Sequence, residues 1–292
     1  MELIQVSDRT YYIKNPTNIG VYRVDEENVI LIDSGNDKDA GKKILKLVEG
    51  EGFKVQGIIN THSHADHIGG NRLIQERTGC EIYVPGVERC FVEYPVLEPS
   101  FLYGGYPFGD LRNKFLMAKE SRTRDVAEGL PGGLEYFPLG GHSFDMIGVK
   151  TPDGVVFLAD ALCSRETIQK YHLFFLYDVG AHLDTLQRLG GLQGKLFIPS
   201  HCEATEDLEP LLALNIEKVR EILEAVRECC GDGADFEEIL AAVFGRYGLT
   251  MNTNQYVLVG STVKSYLSYL RQEGRVQYEF AGERMLWRAC QD

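Results

Sequence analysis

Along the first sixty residues, apolar and polar side chains alternate with the period of two that a pleated strand imposes. They do so at Thr10 to Ile13, Ile19 to Val24 and Val29 to Asp33. The period then lengthens. Ala40, Ile44, Leu45 and Val48 fall on one helical face, so a helix is expected from about Asp37 to Glu49, followed by a short apolar strand from Val55 to Asn60. In such a strand, helix, strand rhythm, the segment after a strand end is where ligand chemistry collects. Residues 71–79 read as a helix and Glu81 to Val84 as a strand. Strand patterning resumes at Leu134 to Pro138, Asp145 to Lys150, Val155 to Leu158 and Leu196 to Pro199, with Pro152-Asp153-Gly154 as a hairpin turn.

Between these blocks, residues 86–133 read as an irregular insertion rich in Phe, Tyr, Pro and Gly. Its rings either cover the core or a subunit interface or form a wall over a substrate. Beyond Thr205 the texture is helical. Leu211 to Cys229 carries a stripe at 212, 216, 219, 223 and 226; Asp235 and Glu238 form a capping box that opens a second helix; a third runs from about Asn254 to Gln272 and is stopped by Gly274. Arg275 to Phe280 and Arg284 to Arg288 alternate like a two-stranded ribbon. Three helices and a ribbon suggest a small winged-helix-like module, and the chain divides into residues 1–208 and 209–292.

Acidic residues outnumber basic ones by 43 to 30, giving a formal charge of −13, which disfavours non-specific binding to nucleic acid or anionic membrane. No run approaches the roughly 18 apolar residues of a membrane span. Met1 to Thr10 lacks the basic and apolar stretches of a signal peptide, and seven cysteines without a CxxC pair read as reduced thiols. The expectation is a cytoplasmic protein acting on a small molecule, with room left for a homo-oligomer.

The densest chemistry is Thr61-His62-Ser63-His64-Ala65-Asp66-His67, three imidazoles and a carboxylate directly after an apolar strand. Imidazole nitrogen and carboxylate oxygen together suit zinc, manganese or iron. His142 follows Gly140-Gly141 in a turn between strands, Asp160 lies at the end of the strand Val155 to Leu158, and His201 follows Leu196 to Pro199. Each of these further candidates therefore stands at a strand end, where one mouth of a sheet gathers them.

This set and its order resemble the metallo-β-lactamase superfamily over residues 1 to 205. The resemblance implies an α+β fold, the four-layer αββα sandwich, and a binuclear site. His62, His64 and His142 would hold one divalent ion, Asp66, His67 and His201 the other, and Asp160 both. Zinc is the first choice, iron or manganese the alternatives. Asp33, in Leu31-Ile32-Asp33-Ser34-Gly35, matches the superfamily's first motif or simply caps a turn. His172 and His182 fall outside the set. Two such ions would lower the pKa of a bound water and so supply hydroxide as the nucleophile. Asp66 would orient it and pass a proton to the leaving group. Ser63, Ser143 and Cys202 then serve only as small residues in crowded loops. Hydrolysis of a thioester, ester or lactone leads, in the manner of the hydroxyacylglutathione hydrolases, with a metal-dependent endoribonuclease as the alternative.

Overall fold

In the computed structural model, which describes residues 1–290, seven strands lie side by side in chain order. They are β1 (Glu2–Gln5), β2 (Thr10–Lys14), β3 (Ile19–Arg23), β4 (Asn28–Ile32), β5 (Lys54–Ile59), β6 (Glu81–Val84) and β7 (Arg124–Asp125). The first four form an antiparallel meander, and β4 to β7 pair in parallel. A second sheet holds β8 (Glu135–Pro138), β9 (Ile147–Lys150), β10 (Val155–Cys163) and β11 (Leu196–His201), with β10 and β11 parallel.

The alternation in the sequence decides which layer each side chain joins. In β4, Ile30 and Ile32 meet Val155, Phe157 and Ile198 of the other sheet. Val29 and Leu31 instead meet Ile44, Leu45 and Val48 of α1 (Lys38–Gly50). In β10, Val155 and Phe157 face the opposite sheet while Val156 and Leu158 face Leu186 and Leu189. Helices thus cover both outer faces, which is the αββα sandwich.

Two short helices, α2 (Ala65–Ile68) and α3 (Asn71–Thr78), separate β5 from β6. The segment 86–133 is more ordered than its composition suggests. It contains α4 (Glu88–Glu93), α5 (Leu97–Tyr103), three single turns of 3-10 helix and β7, the edge of the large sheet. Two further helices, α6 (Arg165–Tyr171) and α7 (Val179–Leu189), join β10 to β11. No element was expected in that stretch, although Val179, Leu186 and Leu189 fall on one buried face of α7.

The helical end consists of α8 (Glu209–Cys230), α9 (Phe236–Tyr247) and α10 (Thr253–Gln272), then the ribbon β12 (Val276–Ala281) and β13 (Arg284–Ala289). Asp235 and Glu238 do form a reciprocal capping box at the start of α9. These elements do not keep a core to themselves. Val219, Ile222, Val263, Tyr266 and Leu270 share one apolar cluster with Leu173, Leu176 and Val179, which lie in and just before α7. Leu208 and Leu212 pack on β10 and α7, while Val257 of α10 meets Leu102, Leu111 and Leu116 of the aromatic insertion.

Candidate metal centre

β5 ends at Ile59, and the next residues turn across the mouth between the two sheets. The Thr61 amide and hydroxyl both donate to the Asp33 carboxylate at 2.8 Å. Because α2 begins at once, His67 is carried back towards β4, where its Nδ1 donates to Asp33 Oδ2 at 2.8 Å. Asp33 itself has φ 65°, a left-handed conformation that costs a non-glycine residue energy. Three donors on its carboxylate and a backbone bond from its amide to Ile59 hold it there.

Asp160 reaches the mouth through an irregularity in β10. Strict alternation from Val155 and Phe157 continues inward to position 159 and sends position 160 outward. The register against β11 shifts between Phe157 and Ala159, however, and Ala159 has φ 47°. Leu158 and Ala159 therefore both join the helix-facing cluster, and Asp160 is turned inward. The strand continues to Cys163, so Asp160 sits within it and not at its end.

The seven candidates converge. One potential ligand atom each from His62, His64 and His142 lies within 4.8 Å of the others, as is true of His62, His67 and Asp160, and of Asp66, His67 and His201. His64 Nδ1 is 3.1 Å from His62 Nε2 and 2.9 Å from His142 Nε2. Asp160 stands between the two ends of the constellation: Oδ1 is 3.1 Å from His67 Nε2, and Oδ2 is 3.4 Å from His142 Nε2 and 3.2 Å from His201 Nε2. Asp66 Oδ2 lies 3.4 Å from His201 Nε2 and accepts from the Thr17 hydroxyl at 2.9 Å.

Each of the five imidazoles points one nitrogen into this space and has an oxygen beside the other. His62 Nδ1 bonds the Thr61 hydroxyl at 3.1 Å, His67 bonds Asp33, His142 Nδ1 bonds the Phe175 carbonyl at 3.0 Å, and His201 Nδ1 bonds the Pro16 carbonyl at 2.8 Å. His64 Nε2 is 3.7 Å from the Glu98 carboxylate. Such outer partners fix the tautomer and aim the ring of a metal-binding histidine. His67 Nε2 and Asp160 Oδ1 are buried and make no hydrogen bond, which is rare for buried polar atoms without a further partner. A cation held by nitrogen and oxygen donors fits them.

Charge divides the site. Burial lowers the His62 imidazole well below its ordinary value, His64 to about 4 and His142 to about 3, leaving neutral rings whose nitrogens are free to bind a metal. Burial acts in the same direction on His201, but Asp160 and Asp66 outweigh it and raise it to about 11. The two carboxylates thus draw positive charge to that half. Solvent reaches the constellation from the same half, where the Asp66 side chain is 41% accessible and that of His201 28%, against 18% for His64 and 8% for His142 at the other end.

His172 and His182 lie elsewhere. His172 stacks on Tyr247 with centroids 5.3 Å apart, and His182 is buried in α7 with neither ring nitrogen bonded. Ser63 and Ser143 donate to Glu88, and burial pushes the Cys202 thiol up to about 12, so none of the three is set up as a nucleophile. Sequence reasoning missed Thr17, Glu88, Glu98 and Phe175. The two glutamates sit in the aromatic insertion, where single acids such as Glu88, between Val87 and Arg89, carry no sequence signal of burial. Of the insertion's rings, Phe91 and Phe101 pack on Phe144 beside the His142 turn, at centroid distances of 5.2 and 5.1 Å, whereas Tyr94, Tyr106 and Phe115 are exposed.

The family model for the metallo-beta-lactamase superfamily matches residues 13–201, and the chain belongs to that superfamily. Among curated relatives, a probable metallo-hydrolase of Bacillus subtilis is 26% identical over 222 residues, covering 68% of this chain and 81% of the relative. A hydroxyacylglutathione hydrolase of Rhodospirillum rubrum is 38% identical over 65 residues, 20% of this chain; the match spans only a quarter (25%) of that relative's length. A metallo-beta-lactamase family protein of Thermus thermophilus superposes with a TM-score of 0.72 at 18% identity, over 99% of this chain and 98% of that one. A beta-lactamase domain protein of Burkholderia ambifaria gives 0.71 at 16% identity, over 99% and 94%. At such identities the structures speak for the fold alone. Among the described residues no helix is long and apolar enough to cross a membrane.

Proposed function

We propose that this chain is a two-metal hydrolase of a thioester, ester or lactone. The observation that carries the reading is the set of five imidazoles, each aimed inward with an oxygen behind it, around a carboxylate that faces both ends of the site. His62, His64 and His142 would hold one ion and Asp66, His67 and His201 the other, with Asp160 touching both; zinc suits this donor set, as do iron and manganese. A bound pair of divalent ions makes water acidic enough to attack near neutral pH and polarises the substrate oxygen. The chain's own contribution is orientation. Asp66, solvent-accessible and steadied by Thr17, accepts the proton of the attacking water and delivers it to the leaving group.

An acyl-thiol substrate is favoured by the likeness to hydroxyacylglutathione hydrolases. Nucleic acid is disfavoured by the state of the carboxy-terminal cations. Arg275 pairs with Glu224, Arg284 with Asp235 and Glu238, and Arg288 with Glu279; Lys264 lies over the Phe236 ring and Arg271 over Tyr278. Binding phosphates would require giving these partners up. All seven cysteines are thiols, which supports a reducing, cytoplasmic setting.

Metal analysis of the purified protein should find close to two ions per chain. Thioester hydrolysis should be abolished by chelation, restored by zinc, lost in His64→Ala and kept in His172→Ala. RNA cleavage under matched metal and salt, lost in His62→Ala and without activity on thioesters or lactones, would overturn the assignment.

A further inference from the structure

The two loops that carry His62, His64 and His142 come from different sheets, and one backbone bond joins their roots, from the Ile147 amide to the Thr61 carbonyl at 3.0 Å. Nearer the ligands, a side chain joins them. Glu88, the first residue of α4, is completely buried. Its Oε2 accepts from the Ser63 amide at 3.0 Å and from the Ser63 hydroxyl. Its Oε1 accepts from the Ser143 hydroxyl at 2.6 Å and from the Asp145 amide at 3.0 Å. A carboxylate has about four lone-pair positions, and here two serve each loop.

The connection is returned from the other side. Asp145 Oδ2 accepts the Val87 amide at 2.7 Å, so the turn after His142 and the start of α4 hold each other by two bonds running in opposite directions. No basic residue pairs with Glu88 among the described residues, so donors alone offset the cost of burying it. Ser63 stands between His62 and His64, and Ser143 directly follows His142. Movement at either serine therefore moves the nitrogens that face one another at 2.9–3.1 Å.

We propose that Glu88 is a positioning residue that clamps the two loops of the three-histidine end, so that metal affinity there depends on its carboxylate. This rests on the two-metal reading given above. Only a carboxylate offers acceptors to both loops. In Glu88→Gln one oxygen becomes an amide nitrogen; the serine hydroxyl beside it can turn to accept, but the backbone amide of Ser63 or Asp145 loses its acceptor, and that loop loosens.

The test compares the wild-type protein, Glu88→Gln and Val92→Ala. Val92 lies on the same helix, is buried in the α1-side core, and touches neither loop by a polar bond, so its truncation loosens α4 without unclamping anything. Zinc affinity is measured by competition with a chromophoric chelator, and hydrogen exchange is followed in the metal-free proteins over residues 61–67 and 140–146. Glu88→Gln should weaken one zinc equivalent at least tenfold, the scale at which outer partners act, and should speed exchange in one or both segments. Val92→Ala should lower the melting temperature while leaving affinity and both segments as in the wild type. Two equally tight zinc equivalents and unchanged exchange in Glu88→Gln would overturn the clamp, as would an equal zinc loss in Val92→Ala. If the wild-type protein itself binds no zinc, it is the two-metal reading that fails.

Discussion

Asp66 differs from the other candidate ligands in being both reachable from solvent and bonded by a hydroxyl, that of Thr17. Asn at this position keeps the shape and removes the charge, so Asp66→Asn should lower kcat about a hundredfold or more if the carboxylate carries a proton. The metal-free protein should unfold at nearly the same urea concentration, because the side chain contributes little packing. Unchanged kcat with both ions bound would take Asp66 out of the proton path. At this scale the sequence was informative where chemistry is concentrated: His62, His64, Asp66 and His67 fall within six residues, and few other roles call for such density. It was silent on Glu88 and Glu98. A single acid in a stretch with no clear period looks like any solvated helix residue until its burial is known.

Strands and helices with an unbroken period could be read directly, as β4 and α1 show, because each has one or two apolar faces to bury. The turn of Asp160 into the site could not be read that way. It depends on two neighbouring residues, Leu158 and Ala159, facing the same layer, and that breaks the rule by which strands are recognised. The Gly140-Gly141 turn is more transparent once its surroundings are known. Gly141 has φ 118°, and a Cβ there would lie 2.4 Å from the backbone of His182 in α7. Its carbonyl also accepts the Tyr177 and Asp178 amides at 2.9 Å, so α7 cannot simply retreat. Gly141→Ala should therefore destabilise the fold by about 1–3 kcal/mol in urea titrations. It should also weaken zinc at the His142 end, and a variant with unaltered stability and affinity would show that the turn adapts.

For the whole molecule, the change from strand to helix texture near residue 208 was visible, but the packing across it was not. We propose that residues 209–292 complete the sandwich's core, so that residues 1–208 are not self-sufficient without them. A chain ending at residue 208 loses Leu212 from β10 and uncovers Leu173, Leu176 and Val179. It should aggregate on size-exclusion chromatography; a monodisperse product that still binds two zinc ions would mean the sandwich is self-sufficient. The same shared core bears on how the protein is made. Phe175, whose carbonyl steadies His142, lies between Leu173 and Leu176, and both of these rest on side chains as late as Val263, Tyr266 and Leu270. During synthesis the HxHxDH loop leaves the ribosome early, with most of the large sheet already available to it. The support behind Phe175 is not covered until α10 has followed, so the first ligands to be translated wait for the last helix before everything that steadies His142 is in place.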